Sequence, residues 1–483
     1  MSAGGVAAAL WRLLGLYLLA CGILANLALA TLAWMIVDNG PAALRARATS
    51  AVELVENRAR SIDAAITQRI AARRAAALKV ATSPVLATTE VGAAVEIADE
   101  PNRGRVLEVG PGRTYATPAV AARAARDGDV VDIIPGEYSG ESVRWTADHL
   151  LIRGHGGMAR IDGRGVRLVQ DKAIWLVQGD DVRIEHVAFS GARSSDRNGA
   201  GIRAEGQRLL IVGCSFDDNE TGLLSNSVHG AEIEVLHSSF SRNGHTDGQA
   251  HQIYIGRIAR FVLRGSYLSA SRVGSAVKSR ALESLVIANR IVDGADGRSN
   301  YTLDFSEGGR AVVLGNELEQ GPYSGNRHVI AFAPEHSRGP RDALLVIHNT
   351  LVSDRANGSF VWNRSAEPAV LYNNLFVGGR RVLEGRGRLA GNVLVTNAWF
   401  ARWGGTSAGS GNRRGEGDAV ADRRRLDYAL PADSPARDAG APLDPASLSV
   451  LAELREYREP LRAVPRRIVG APDAGAHEYV AAP

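Results

Sequence analysis

Apolar and polar positions change their rhythm twice along this chain. From Leu13 to Val37 the run LLGLYLLACGILANLALATLAWMIV holds 25 residues without a charge, enough to cross a bilayer with some tilt. After Pro41, Val52, Val55, Ala59, Ile62 and Ile66 recur at alternating steps of three and four, the period of an amphipathic helix with a short coiled-coil-like seam. Beyond the polar stretch DEPNRGR at 99–105 helical periodicity disappears, and short alternating runs follow one another between glycine- and asparagine-bearing turns. The pattern predicts a membrane anchor over 1–40, a helical stalk over 41–104, a strand-rich domain over 105–431 and a closing segment over 432–483.

The strand-rich domain repeats. Runs ending in a polar or small residue, any residue and an apolar anchor place those anchors at Phe189, Phe216, Phe240, Leu268, Ile291, Leu318, Leu351, Phe376 and Leu394. The intervals are 27, 24, 28, 23, 27, 33, 25 and 18 residues. A drifting period of this length predicts a solenoid whose coils bury their apolar sides only by stacking on neighbours. The coil is β, because its apolar positions alternate over short runs rich in Val, Ile and Phe and leave no room for a helix. Asn289, Asn316, Asn349, Asn374 and Asn392 each stand two residues before an anchor, where stacked amides can hydrogen-bond along the solenoid and satisfy turn backbone.

Three features resemble the right-handed parallel β-helix superfamily, the pectate-lyase-like fold, over roughly Val106 to Leu394. The stretch TPAVAARAARDGDVVDIIPGEY at 117–138 looks like that family's opening, a short capping helix followed by a strand. The coil ladder is the second feature. DSPARDAG at 433–440 and PDAGAHEY at 472–479 are similar to segments that close many bacterial members. The resemblance implies an all-β solenoid and no single reaction, since the fold hosts lyases, hydrolases, epimerases and inactive proteins. The stalk stretch RARSIDAAITQRIAARRAAALKVATSPVLATTE in turn resembles the first extracytoplasmic helix of bacterial membrane-bound sensors. That likeness implies a stalk with the β-helix on the periplasmic or extracellular side, a solvated linker helix being the alternative. With the apolar run it gives the expectation of a single-pass bacterial inner-membrane protein, and the helical seam offers a dimer through the stalk. A signal-peptidase site at Ala28-Leu29-Ala30 is the rival to an uncleaved anchor, but apolar residues continue to Val37.

Charge excludes one class of partner. Net charge is +4, with 56 basic and 52 acidic residues interspersed, so no nucleic-acid footprint is expected. Cys21 falls in the apolar run and Cys214 in a core strand, so no mutual disulfide is expected. Only Lys79, Lys172 and Lys278 are lysines; every other basic residue is arginine. Arginine does not readily release its proton, whereas lysine can act as a base.

Lys278 has neighbours by register. Alternation turns Tyr254, Lys278 and Asp304 outward, at 14, 13 and 14 residues before their anchors, which stacks them in one column with Arg280 beside Lys278. Such a column suits an acidic polysaccharide. Lys278 abstracts the proton alpha to a uronate carboxyl, Arg280 neutralises the carboxylate, and Tyr254 donates to the leaving oxygen. Elimination and C5 epimerisation share this first step. Asp304, with Glu307 or Asp247, offers oxygen ligands for calcium. His245, Asp247 and His251 lie just upstream, and His251 is a further candidate base although alternation points it inward with Ile253, leaving Gln252 outward. The 33-residue interval carries an extra loop at 333–342, so His328, Glu335 and Arg338 can flank a substrate, and Trp362 with Arg364 can stack a sugar. A solvated strand face on a glycan-binding or envelope-assembly scaffold is the competing reading. A glycoside hydrolase needs two opposed carboxylates, for which Asp304 and Glu307 are a weak pair.

Overall fold

The computed structural model describes residues 104–481 apart from 246–249, 356, 399, 406, 409–410 and 443–449. The expected anchor, the expected stalk and Asp247 lie outside the described residues, and no described helix is long and apolar enough to cross a membrane. The domain that follows is a parallel β-helix, and crossovers between parallel strands of one sheet are right-handed in nearly all proteins. Its strands form parallel sheets of 13, 12 and 11 strands, each strand bonded to its counterpart in the next coil.

The nine anchors stack in the twelve-stranded sheet in the register the intervals require, from Phe189 on Phe216 through Phe240, Leu268, Ile291, Leu318, Leu351 and Phe376 to Leu394. Ile161 and Tyr138 extend the ladder upstream. Inside the first coils Trp145, Trp175, Phe189, Phe216 and Phe240 form an aromatic spine, with successive ring centroids 5.3, 4.9, 5.2 and 4.5 Å apart. Thr117 caps the one α-helix among the described residues, Pro118–Ala124, which packs on the first strands and buries Ala121.

The turn before each anchor explains the asparagines. The residue three before the anchor (His186, Gly213, His237, Gly265, Ala288, Gly315, His348, Asn373 and Gly391) always has φ between +50° and +67°. Non-glycine residues there carry backbone strain, and the next residue offsets it by bonding along the stack. Asn289 Nδ2 donates to Asn316 Oδ1 (3.0 Å), Asn316 to Asn349 (2.9 Å), Asn349 to Asn374 (3.0 Å) and Asn374 to Asn392 (3.0 Å). Upstream, Cys214, Ser238 and Ser266 hold the same place, each backbone N–H donating to the side chain one coil on.

The closing motifs bind each other and lie along the solenoid's side. Ala474 N donates to Ala436 O at 2.9 Å and Gly440 N to Pro472 O at 2.8 Å. The chain then meets successive coils: Ala476 N donates to Thr350 Oγ1 (3.0 Å), and His477 Nε2 lies 2.6 Å from Glu317 Oε1. Leu461 O reaches His237 Nδ1 at 2.8 Å. Arg466, wholly buried, pairs with Glu478 at 2.7 Å.

Candidate active site

The strands Ile253–Ile255, Val277–Ser279 and Leu303–Phe305 are consecutive in the eleven-stranded sheet. Register puts Tyr254 beside Lys278 and Lys278 beside Asp304, so the expected column exists. It continues through Ala331 and Trp362 to Glu384. Val277 and Ser279 point into the core and are buried, which leaves Lys278 and Arg280 on the outer face.

Two expectations about facing need correction. Asp304 points outward but is only 4% exposed, and Ser306, which the same alternation turns outward, is fully buried. The extra loop covers them: Glu335 N and His336 N both donate to Ser306 O, at 3.0 and 3.1 Å. Gln252, expected outward, is 1% exposed. It lies just before the strand, where alternation no longer applies, and its amide bonds Asn243 (3.1 Å) and Ser269 O (3.0 Å).

The loop brings a carboxylate to the column. Glu335 Oε1 accepts from Lys278 Nζ at 2.6 Å, while Oε2 accepts from Arg280 Nη2. Asp304 Oδ2 lies 3.6 Å from Lys278 Nζ, and Asp304 Oδ1 accepts from Ser306 Oγ at 2.8 Å. Burial raises the Asp304 pKa above the usual carboxylate range against the opposing pull of Lys278. For Glu335 burial works upward too, but Lys278 and Arg280 outweigh it and hold the carboxyl low. Arg280 Nη1 donates to Tyr254 Oη, and its guanidinium lies 5.3 Å from the Tyr254 ring centre. Because that oxygen accepts from Arg280, the phenol's own hydrogen is left to point elsewhere.

Other expected residues take different positions. His251 is buried, stacks 5.5 Å from the Tyr254 ring and accepts from Ser275 N on Nδ1 at 2.9 Å. Burial, then the charges of Lys278 and Arg280, push its pKa down to about 3, so its ring is neutral and its acceptor nitrogen is engaged. Glu307 is taken up by three arginines: Arg257 Nε at 2.9 Å, Arg280 Nε at 3.1 Å and Arg338 Nη2 at 3.4 Å. With Glu307 so committed and Asp304 held by Lys278 and Ser306, these donors do not fit a calcium cage. No group of three or more His, Cys, Asp or Glu side chains suited to a metal occurs among the described residues. Arg338 also donates to Arg280 O at 2.9 Å, tying the loop to the column strand. His328 stacks on Trp362 with centroids 4.9 Å apart and Arg364 lies 5.4 Å from that ring, so Trp362 packs against protein. The sequence marked Glu335 as a loop residue able to flank a substrate, and not as the partner of both cations. Its grip on both cations depends on Asp342, whose Oδ1 accepts from Gly309 N at 2.7 Å and folds the loop back.

No protein-family model matches the sequence, and no curated protein matches it. Among solved structures, the chain is similar to pectate lyase Pel9A at 13% identity and TM-score 0.45, over 78% of this chain and 98% of that one. A rhamnogalacturonan lyase matches at 11% identity and TM-score 0.42, over 65% and 87%. A PL6 alginate lyase in complex with a trisaccharide matches at 15% identity and TM-score 0.32, over 64% and 62%.

Proposed function

We propose that this protein is a lyase that cleaves uronate-containing polysaccharide by β-elimination. One observation carries the reading: Lys278 and Arg280 jointly hold a single carboxylate, that of Glu335, beside the Tyr254 phenol. A uronate carboxylate taking the place of Glu335 pairs with Arg280 and lies beside Lys278, which gives up its own proton before it can serve as the base. The guanidinium of Arg280 then neutralises it and stabilises charge developing at the alpha carbon.

Lys278, as the free amine, takes the C5 proton. The electron pair left behind forms the C4–C5 double bond, the bond from C4 to the glycosidic oxygen breaks, and Tyr254 protonates that oxygen. The products are an unsaturated uronate end and a new hydroxyl end, and the step consumes no co-reactant. His251 stacks against Tyr254 and fixes its ring. The reading routes no step through calcium.

Adjacent register on one sheet face favours elimination over epimerisation. Lys278 and Tyr254 address a sugar from the same side, whereas epimerisation returns the proton to the opposite face. The uncharged run at Leu13–Val37 supports anchoring this lyase in a bacterial inner membrane, and the stalk's likeness to extracytoplasmic sensor helices supports the outer side for the β-helix. The test is incubation of the protein with a panel of polyuronates and a neutral glucan while ultraviolet absorbance follows unsaturated ends. A rise on a polyuronate alone supports the proposal; a flat trace throughout moves the weight to a binding scaffold.

A further inference from the structure

A cavity of about 330 Å³ opens near the strands Ser359–Asn363, Arg381–Glu384 and Arg402–Gly404, further along the same eleven-stranded sheet. Its described lining includes four guanidinium groups, those of Arg327, Arg380, Arg381 and Arg402, against the one carboxylate of Glu384. Glu384 is engaged by Arg327 at 2.9 Å and His328 at 3.3 Å, with Arg381 at 3.9 Å. Burial first, opposed by Glu384, lowers the His328 pKa, so that ring adds no charge near neutral pH. Phe400 is 41% exposed at the cavity, with the Arg380 guanidinium 4.7 Å from its ring centre.

The geometry points to a second carboxylate-binding subsite for the polysaccharide, one that makes the enzyme favour long chains. This deepens, and rests on, the uronate reading of the Lys278 column. Guanidinium groups pair bidentately with carboxylates. A volume of this size is at the small end of ligand sites, room for a sugar or two.

Position adds the second argument. The strand of Arg381 lies four steps from that of Lys278 in the sheet order, roughly 19 Å at about 4.8 Å per step. That step is close to the advance of one sugar in an extended chain. The column between them ends at Trp362 and then Glu384, which lines the cavity. A hexauronate laid outside the loop along this sheet is long enough to reach both sites, and a triuronate held at Lys278 is too short to reach the cavity.

The experiment compares full-length protein with Arg381→Ala/Arg402→Ala and with Glu384→Gln, reading KM and kcat for galacturonate and alginate oligomers of three and six residues. For the hexamer, the double variant is expected to raise KM about tenfold, from two partly exposed cations, with kcat unchanged. The trimer KM stays constant. Glu384→Gln removes the opposing carboxylate and is expected to lower the hexamer KM, a gain that a misfolded variant does not produce. If wild type cleaves the hexamer and neither variant moves its KM, or both lengths shift alike, the subsite is refuted and the lyase reading stands. If wild type cleaves neither oligomer, both fall together.

Discussion

Glu335→Gln is the sharpest perturbation of the column, because Glu335 accepts from both Lys278 and Arg280 and so holds the place that the proposed elimination gives to the substrate carboxylate. The loop does not need to move for substrate to enter. Its backbone is pinned through Glu335 N to Ser306 O at 3.0 Å and Arg338 to Arg280 O at 2.9 Å, whereas the Glu335 side chain is 44% exposed and can rotate away. Glutamine keeps the shape and removes the charge, so both ion pairs weaken together. A solvent-exposed pair is worth about 0–1 kcal/mol. The Lys278 and Arg280 sides are mostly buried, at 14% and 16% exposure, so two such pairs amount to about 1–2 kcal/mol of competition with substrate. Near the middle of that range the variant's KM for a polyuronate falls about tenfold. The assay is initial rate against substrate concentration, with Asp196→Asn, which removes the partner of Lys172, as a control for general charge. A KM that stays level or rises refutes the reasoning, since Glu335 would then be building the site and not occupying it.

Three further outcomes follow from the same structure. Asn316→Ala removes bonds to Asn349 and Val286 O and leaves the buried Asn289 N–H without the acceptor it has at 2.8 Å. The expected loss is about 3 kcal/mol of stability by denaturant unfolding, and a loss within error of zero contradicts the ladder's role. His477 is expected to make stability fall in alkali. Burial lowers its pKa, but Glu317 and Glu456 more than reverse this and raise it to about 9 from 6.5. A raised folded pKa contributes stability in full below about pH 6.5 and loses it as pH climbs through about 9, on the order of 3 kcal/mol in all. Unfolding midpoints should drop across that window in wild type and change less in His477→Gln; equal slopes refute the assignment. For the arginine cavity, Arg381→Ala/Arg402→Ala should separate hexamer from trimer kinetics.

The parts of this molecule that repeat were legible in its sequence. Anchors such as Phe216 and Leu318 stack because in-register parallel strands force equivalent positions together, and the 14, 13 and 14 residue offsets of Tyr254, Lys278 and Asp304 carry the same constraint. The asparagine ladder was readable for the same reason. Contacts made by departures from the repeat were not. Glu335 reaches Lys278 across 57 residues through a loop whose shape depends on Asp342. Burial of Asp304 follows from that loop and not from alternation. Arg381 and Arg402 meet as register partners one coil apart, which the drifting coil length hides in the sequence, and Arg327 joins them in the cavity from just before its own strand. The closing segment's path back to His237 rests on individual contacts, among them the ion pair of His477 with Glu317.

The central claim is that Lys278 is the base of an elimination. It is tested most directly by following unsaturated uronate formation on the best polyuronate with wild type, Lys278→Ala and Lys172→Ala. Lys172 is the fitting control, a lysine on the same domain paired with Asp196 and away from the column. The account predicts that absorbance rises for wild type and Lys172→Ala and that Lys278→Ala loses the rise while keeping its fold. Equal rates in all three proteins would contradict it.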